Sequence, residues 1–281
     1  GTQGETLGDA AKSAALRTAA LYALLPKLAE EAGLLWEDAD EAALQEARQA
    51  KIAALGGEDA WAAHLARWGL SETDAEVFAR CHRLYARLYE ESRREGSSAY
   101  LSPEDIAAYA EKQGLQTAAV LAVADSAQAE AIRTELAAAA DLPAAFAAQA
   151  EAVSTWPSRT VTLGLEETLP EAVSQAAKAL TPGQLSAVVT AEGQSFLLLG
   201  RELDQEAAAR ALFDQRLTAQ AEQAEIRLLS PYEAIDPGTF FPALTAAQAA
   251  LDAAGGQSDA PPAGSGASSA GSAGAGSSAP E

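Results

Sequence analysis

Apolar residues in the first 113 positions recur at helical spacing, and glycines or serines mark the breaks between the runs. Glycine at 33 ends the first run, as glycine commonly does after a helix. Ser71 and Ser102 are placed to cap later helices, and Pro103 stands at a first helical position. This pattern predicts helices over residues 8–32, 37–55, 59–68, 71–94 and 102–113.

The pattern changes at residue 115, where short apolar or alternating runs typical of strands appear. Strands are predicted at 115–124, 160–163, 185–190 and 195–200, with helices at 127–138, near 142, and at 169–180. A long helix is predicted over 204–224. Beyond it we predict a strand at 225–229, an irregular aromatic segment at 230–242, and a disordered Gly, Ser, Ala and Pro tail at 252–281.

Charge excludes one class of partner. The chain of 281 residues has 40 acidic and 19 basic residues, a formal net charge of −21. Nucleic-acid binding needs clustered Lys and Arg, and the sequence has no such cluster.

The chain has no methionine and no apolar run of membrane-spanning length. We therefore expect a processed product of a longer precursor, whose export signal or lipid anchor preceded Gly1.

The cysteine and histidine content argues against metal or nucleophilic chemistry. Cys81 is the single cysteine, so no internal disulfide forms. We favour a buried, small apolar role for it, with a reactive thiol as the alternative. His82 is adjacent, and neighbours on a helix point about 100° apart. His64 and His82 lack the spacing of a zinc site. We predict no metal, no cofactor and no catalytic triad.

Two parts of the chain carry family resemblances. Leu180-Thr-Pro-Gly-Gln-Leu-Ser186, followed by Gly-Gln-Ser-Phe-Leu-Leu-Leu-Gly at 193–200, resembles the closing segment of parvulin-type peptidyl-prolyl isomerases. The helical part resembles the N-terminal module of the PrsA/SurA group of extracytoplasmic foldases. The motifs that carry this second resemblance are Leu34-Leu35 and the segments 56–61, 68–73 and 101–109.

The resemblance implies an α+β fold with three parts. Residues 8–112 and 204–245 would form a mostly helical, discontinuous chaperone module. Residues 115–203 would form an inserted parvulin-like α/β domain, with a small antiparallel sheet and flanking helices. The tail at 252–281 would stay outside both.

Family residues can be matched one by one. The two histidines of the family fall at Ala119 and Ser195, and its Cys or Asp falls near Ser154-Thr155. The resemblance therefore implies no catalytic residue. It implies peptide-binding residues at Leu169, Val173, Ser195 and Phe196. Each has a plainer interpretation: Leu169, Val173 and Phe196 as core residues, and Ser195 as an incidental strand residue.

Aromatic residues of the helical module have two interpretations. They belong to its core, or they line an open cleft that offers apolar surface to unfolded polypeptides. The residues concerned are Trp36, Trp61, Trp68, Tyr85 and Tyr89.

The sequence thus predicts an extracytoplasmic folding factor, secreted or lipid-anchored, that binds unfolded or proline-containing exported polypeptides. We expect chaperone activity with weak or no isomerase activity. Whether the chain is an enzyme stays open, because rotating a prolyl bond needs no nucleophile. The alternatives are an active peptidyl-prolyl cis–trans isomerase and a non-catalytic helical scaffold of the cell envelope. A homodimer and a membrane tether through a missing N-terminus also stay open.

Overall fold

The computed structural model describes residues 7–157, 159–165, 169–225, 227 and 236–253. The chain divides into two compact units. The helical unit comprises residues 1–99 and 217–281, and the sheet unit comprises residues 100–216. The predicted α+β class is confirmed. Of the tail predicted at 252–281, residues 252 and 253 end the last described helix, and the rest lies outside the described residues.

The helical unit begins with four helices that follow the predicted breaks. They are α1 (Leu7–Glu31), α2 (Asp38–Leu55), α3 (Glu58–Arg67) and α4 (Glu72–Ser92). The Ser71 hydroxyl accepts from the backbone N–H of Asp74, and the Asp74 carboxylate accepts from Ser71 N–H. This capping box fixes where α4 starts. Gly56, with φ 99°, ends α2 in the left-handed region that glycine tolerates.

A buried carboxylate joins α2 to α4. Asp40 is only 2% exposed. It accepts from Arg83 Nε at 2.8 Å and from Arg87 Nη1 at 2.5 Å. It also accepts from the backbone N–H of Glu37 at 3.1 Å, as part of the cap of α2. Burial alone raises the pKa of Asp40, but the hydrogen bonds from Arg83 and Glu37 and the nearby charges of both arginines outweigh it, so the pKa is lowered.

The sheet unit carries the remaining strands and most of the remaining helices. In chain order they are α5 (Pro103–Gln113), β1 (Gln116–Val123), α6 (Ser126–Ala137), α7 (Leu142–Val153), β2 (Thr160–Leu163), α8 (Glu171–Lys178), β3 (Val189–Ala191) and β4 (Gln194–Arg201). Helix α9 (Gln205–Gln223) begins in the sheet unit, and from Leu217 its residues belong to the helical unit. The sheet is antiparallel throughout, in the order β2-β1-β4-β3. This is the predicted order of elements.

The sheet is covered on both faces. Ala118, Val120 and Ala122 of β1 share one face with Phe196 and Leu198 of β4, and residues of α8 pack there. On the other face, Ala119, Leu121 and Val123 meet Leu197 and Leu199 beneath α6 and α7. Because side chains alternate along a strand, the central strands supply both layers. Their continuous apolar runs reflect this two-sided burial.

The strand predicted at 185–190 is shorter than expected. Leu185 makes an isolated bridge to Leu199, and β3 begins only at Val189. The Ser186 backbone N–H donates to Leu198 O, while the Ser186 hydroxyl accepts from Leu198 N–H, both at 2.9 Å. The Ser186 hydroxyl thus accepts the bond that a backbone carbonyl would accept in a regular strand. The backbone hydrogen-bond ladder with β4 is interrupted there.

The turn at Pro182-Gly183 lies directly against β4. Gly183 N–H donates to Gly200 O at 2.8 Å, and Gly200 N–H donates to Gln184 O at 2.9 Å. A Cβ at Gly200 would lie 2.1 Å from the Thr181 carbonyl oxygen. Position 200 therefore requires glycine, because no side chain fits where the two backbones meet.

The end of the described chain differs from its prediction. Residues 237–242, predicted as irregular, belong to helix α10 (Pro237–Ala253). Asp236 accepts from the backbone N–H of Gly238, and Pro237 occupies the first helical position, a known helix start. Glu225 and Arg227 form no strand, and the rest of the predicted strand at 225–229 is outside the described residues.

Within the described part of the chain, we find no helix with the length and apolar character needed to cross a membrane.

We expect Asp40→Asn to destabilise the helical unit by about 3 kcal/mol, because it leaves two partly buried guanidinium groups without their carboxylate. Urea unfolding followed by tryptophan fluorescence measures the loss, since Trp36, Trp61 and Trp68 lie in this unit. Glu46→Gln, at an exposed position on the same helix, is the control and should change stability by less than about 0.5 kcal/mol.

The effect of Asp40→Asn should depend on pH. The folded-state pKa of Asp40 lies below its unfolded value of about 3.9. The stabilisation is therefore complete above about pH 4 and disappears as the pH falls through the folded-state pKa. An equal difference between wild type and variant at pH 7 and at low pH would contradict the ion-pair explanation.

Candidate functional site

The two positions matched to family histidines lie on adjacent central strands. Ala119 on β1 pairs with Leu199, and Ser195 on β4 pairs with Val123. They are 7% and 2% exposed. Directly paired residues of antiparallel strands share a face, so both positions lie on the face covered by α6 and α7. The structure brings the two positions onto one face, and neither lies at an open surface.

The predicted peptide-binding residues are divided between the two faces. Leu169, Val173 and Phe196 meet on the α8 face, at 8%, 0% and 1% exposure. Trp156 packs edge-on against Phe196, with ring centroids 5.3 Å apart. Ser195 lies on the opposite face. In this structure the three apolar residues are core residues, and their role in peptide binding stays a prediction.

The segment matched to the family's Cys or Asp serves the backbone. The Ser154 hydroxyl accepts from Ala122 N–H at 3.1 Å. Thr155 donates to Ala122 O from its backbone N–H at 2.8 Å and from its hydroxyl at 3.1 Å. These bonds attach the segment that precedes β2 to the last part of β1. They supply no ionisable group to the sheet.

Both faces of the sheet have mainly apolar surroundings. The buried side chains around β1 and β4 are mostly hydrophobic, and the buried polar ones are those of Thr117, Ser186 and Ser195. An ionisable side chain placed among them would lose its hydration without a partner. The sheet unit, as described, has a packed interior where the resemblance would place a hydrogen-bonded histidine network.

Cys81 and the histidines have ordinary structural partners. Cys81 is buried, as predicted, and its Sγ donates to Tyr22 O at 3.7 Å. Burial raises the pKa of its thiol, which favours the unreactive protonated form. His82 lies 3.1 Å from the Tyr22 hydroxyl, and His64 stacks on Trp61 with ring centroids 6.0 Å apart.

The aromatic residues of the helical unit divide between core and surface. Tyr89 is buried, while Trp36, Trp61 and Tyr85 are half-buried. Trp68 is 42% exposed. The interpretation as core is therefore wrong for Trp68 and only partly correct for Trp61, which contributes to the wall of a cleft.

This cleft lies between α2, α3 and α4 and encloses about 320 Å³. Helix α2 contributes residues at the i, i+3, i+4 and i+7 spacing of a single helix face, and α4 does the same. Trp61 is the contribution of α3. The lining residues are Leu44, Gln45, Ala47, Arg48, Lys51, Trp61, Glu72, Thr73, Ala75, Glu76 and Ala79.

Polar contacts hold the walls of the cleft together. Arg48 Nη2 lies 3.2 Å from Glu72 Oε1 and 3.3 Å from Glu58 Oε2. The indole N–H of Trp61 donates to Glu72 Oε1 at 2.7 Å. Arg80 joins α4 to α2, since its Nη2 lies 2.7 Å from Glu41 Oε2; its Nε also lies 3.1 Å from Glu76 Oε1 on its own helix. The sequence indicated Trp61 as one of the aromatic residues that could line a cleft. It could not show that one face of α2 and one face of α4 meet beside this residue.

Comparison with known proteins gives matches among solved structures only. No family model matches the chain, and no curated protein sequence does. The chain is similar to the foldase protein PrsA of Streptococcus pneumoniae, with 16% identity, 80% of this chain and 88% of that chain covered, and a TM-score of 0.39. For PrsA of Bacillus subtilis the identity is 18%, the coverages are 77% and 86%, and the TM-score is 0.40.

A third similar structure belongs to the Campylobacter jejuni pair PEB4 and Cj1289, described as SurA-like chaperones. Its identity is 14%, the coverages are 75% and 95%, and the TM-score is 0.28. The three structures named are thus those of two PrsA foldases and of a SurA-like chaperone. At these identities and TM-scores, the proposals on function rest on this chain's own residues.

We expect Ala119→His to destabilise the sheet unit by about 2 kcal/mol, because an imidazole overpacks the layer beneath α6 and α7. Urea unfolding followed by circular dichroism measures the change. Ala147→His, at an exposed position of α7, is the matched control and should have little effect. If the double variant Ala119→His/Ser195→His kept wild-type stability and gained isomerase activity, our description of this layer would be wrong.

Proposed function

We propose that this chain is an extracytoplasmic protein-folding factor that holds unfolded segments of exported polypeptides, with weak or no prolyl isomerase activity. Its sheet unit would be a parvulin-like domain that has kept the fold of that family without its histidine network. The extracytoplasmic location, a lipid anchor or secretion, and a homodimer follow from the sequence resemblance alone and are part of the same proposal.

The distribution of exposed apolar side chains carries the chaperone half of the proposal. Among the described residues, the large hydrophobic side chains that are exposed all belong to the helical unit. They are Leu35 at 69%, Val77 at 51%, Trp68 at 42% and Phe78 at 38%. Exposed apolar surface is costly in water, and we infer that these side chains contact a polypeptide partner.

Two of these residues are neighbours on α4 and suit an unfolded client. Helix α4 presents Val77 and Phe78 next to each other, and the Phe78 ring lies 5.7 Å from that of Tyr22 on α1. An unfolded chain exposes its own apolar residues, so non-directional burial against such a surface needs no defined client shape. The net charge of −21 keeps the protein soluble despite this apolar surface.

The residues at the family's histidine positions support the proposal of weak or no isomerase activity. Catalysis of prolyl rotation requires better binding of the twisted amide than of the planar one. Ala119 offers no hydrogen-bonding side chain, and Ser195 is buried in a layer of apolar residues. Nothing at these two positions would favour the twisted amide.

An aggregation assay with a chemically denatured client tests the chaperone function. We expect wild type to suppress aggregation and the double variant Leu35→Ser/Val77→Ser to need roughly tenfold more protein for the same effect, since about 1.4 kcal/mol of lost apolar contact is a factor of ten. Both positions are exposed, so the fold should be retained.

The matched control is Ala147→Ser/Ala172→Ser, which changes two exposed positions of the sheet unit and should behave like wild type. Failure of wild type to suppress aggregation would sink the chaperone function and favour the scaffold alternative. Equal activity of the Leu35→Ser/Val77→Ser variant would show that these two side chains do not bind the client.

A further inference from the structure

The cleft between α2, α3 and α4 has the size and lining of a binding site. Its volume is about 320 Å³, and ligand pockets of proteins begin at about 300 Å³ with a mainly apolar lining. All three helices supply apolar side chains to this lining. They are Leu44 and Ala47 of α2, Trp61 of α3, and Ala75 and Ala79 of α4.

Trp61 is held in position before any ligand arrives. Its indole N–H donates to Glu72, and its ring system lies nearly parallel to that of His64, at an interplanar angle of 16°. Arg48 in turn fixes Glu72 through two hydrogen bonds, of 3.4 and 3.2 Å. A ring fixed in this way loses little freedom on binding, which favours affinity for an apolar side chain.

The charges around the cleft do not cancel. Two arginines there are each shared by two glutamates, and the exposed Lys51 is the third cation. Four carboxylates therefore surround the cleft with three cations, an excess of one negative charge. The shared pairs are Arg48 with Glu58 and Glu72, and Arg80 with Glu41 and Glu76.

This excess lies at the end of the cleft away from Lys51. Helices α2 and α4 run antiparallel, as the two ion pairs between them show. At the end that holds Lys51, two glutamates meet two cations, whereas at the opposite end Glu41 and Glu76 share Arg80 alone. Leu44 lies level with Glu76, and seven residues of α2, about 10 Å, separate it from Lys51. Since this is about the Debye length at physiological ionic strength, Lys51 compensates Glu76 only weakly.

Glu76 can accept further hydrogen bonds. A carboxylate accepts up to about four. Within the part of the chain that the structure describes, Glu76 accepts one, from Arg80 Nε at 3.1 Å, whereas Glu41 accepts from Arg80, Trp36 and Gln45. The Glu76 side chain is 55% exposed, so a ligand in the cleft can reach it.

We propose that this cleft binds a client segment in which a large apolar side chain lies next to a cation. The apolar side chain packs against Trp61 and Leu44, and the cation pairs with Glu76. This inference rests on the proposed client-binding function and names the kind of segment that the site selects. A Lys or Arg side chain and a free N-terminus supply the same cationic chemistry.

An acidic segment would gain less at this site. Its carboxylate would meet an excess of glutamates at the Glu76 end of the cleft. The net charge of −21 acts in the same direction over longer distances, because it attracts cationic segments and repels acidic ones.

Fluorescence anisotropy with labelled six-residue peptides on the full chain tests the proposal. The peptides have blocked ends and carry a central Phe-Arg, Phe-Gln, Phe-Glu or Ala-Arg pair. We expect Phe-Arg to bind about threefold tighter than Phe-Gln and about tenfold tighter than Ala-Arg, with Phe-Glu the weakest of the Phe peptides. The preference for Phe-Arg should weaken with salt, because Glu76 is exposed.

Glu76→Gln should remove most of the preference for Phe-Arg over Phe-Gln and leave the affinity for Phe-Gln unchanged. The matched control is Glu130→Gln on α6, which should keep the preference. Glu130 is 56% exposed and pairs with Arg133 Nε on its own helix, much as Glu76 pairs with Arg80. Both variants change the net charge equally, so their difference separates local pairing from the general attraction of cations to an acidic protein.

A second variant tests the cleft itself. Ala47 is exposed and lines the cleft, so a Phe side chain there should fill the cleft without disturbing the core. We expect Ala47→Phe to weaken binding of the Phe-Arg peptide about tenfold. Ala50→Phe, at an exposed position of the same helix outside the lining, is its control and should bind like wild type.

A further peptide that begins with a free amino group at a Phe-Gln pair identifies the source of the cation. Tight binding of this peptide would show that chain starts also serve as the cation. Its weak binding, with the Phe-Arg preference intact, would assign the site to basic side chains.

Equal affinities for Phe-Arg and Phe-Gln, or a preference of the same size in Glu76→Gln and Glu130→Gln, would overturn the inference. So would unchanged binding of Phe-Arg by Ala47→Phe. If wild type still suppressed client aggregation in these cases, the proposed folding function would stand and only the cleft assignment would fail. If neither peptides nor clients bound, the folding function itself would fail.

Discussion

The pairing of β1 with β4 is the contact on which the sheet unit depends. Seven residue pairs, from Thr117 with Arg201 to Val123 with Ser195, join the two strands. Side chains of this pair alternate into two layers, one beneath α8 and one beneath α6 and α7. Between Ala118 and Val123 every residue of β1 is buried and apolar, so these positions are constrained by packing. Ala119 lies within this constrained stretch, and Ser195 is buried opposite Val123.

The helical unit is organised by a different constraint. The buried Asp40 joins α4 to α2 through Arg83 and Arg87. The unit also has a buried apolar core, to which Leu25, Ile52 and Leu84 belong. Leu35 and Val77 are exposed, and a cleft lies beside Trp61.

Most element boundaries could be predicted because local chemistry determines them. Ser71, Ser102 and the glycines that follow the early helices act through nearby backbone groups, and the structure places caps where these residues predict them. The predicted boundaries were wrong at two places: one where a tertiary contact determines the strand boundary, and one where a local helix start was overlooked. Ser186 interrupts the expected strand by bonding to Leu198, a residue twelve positions away. Asp236-Pro237 is a helix start that the aromatic character of the segment obscured.

The candidate site could be predicted only in part. Strand alternation could have separated Ser195 from Phe196, since neighbouring residues of a strand point to opposite faces. The sequence could not show that Leu169 and Val173 are buried, because the packing of α8 on the sheet is a tertiary property. The cleft depends on three helices meeting, and among its lining residues the pattern alone singled out only Trp61.

We propose that the sheet unit has a parvulin-like fold without isomerase activity, and the rate of prolyl isomerisation tests this proposal most directly. Exchange between the cis and trans forms of a proline tetrapeptide can be followed by NMR with the intact chain added. Uncatalysed exchange takes tens to hundreds of seconds at 25 °C. We predict that the chain leaves this rate almost unchanged. A catalytic efficiency above about 10⁴ M⁻¹ s⁻¹, within the ordinary range of enzymes, would contradict the account.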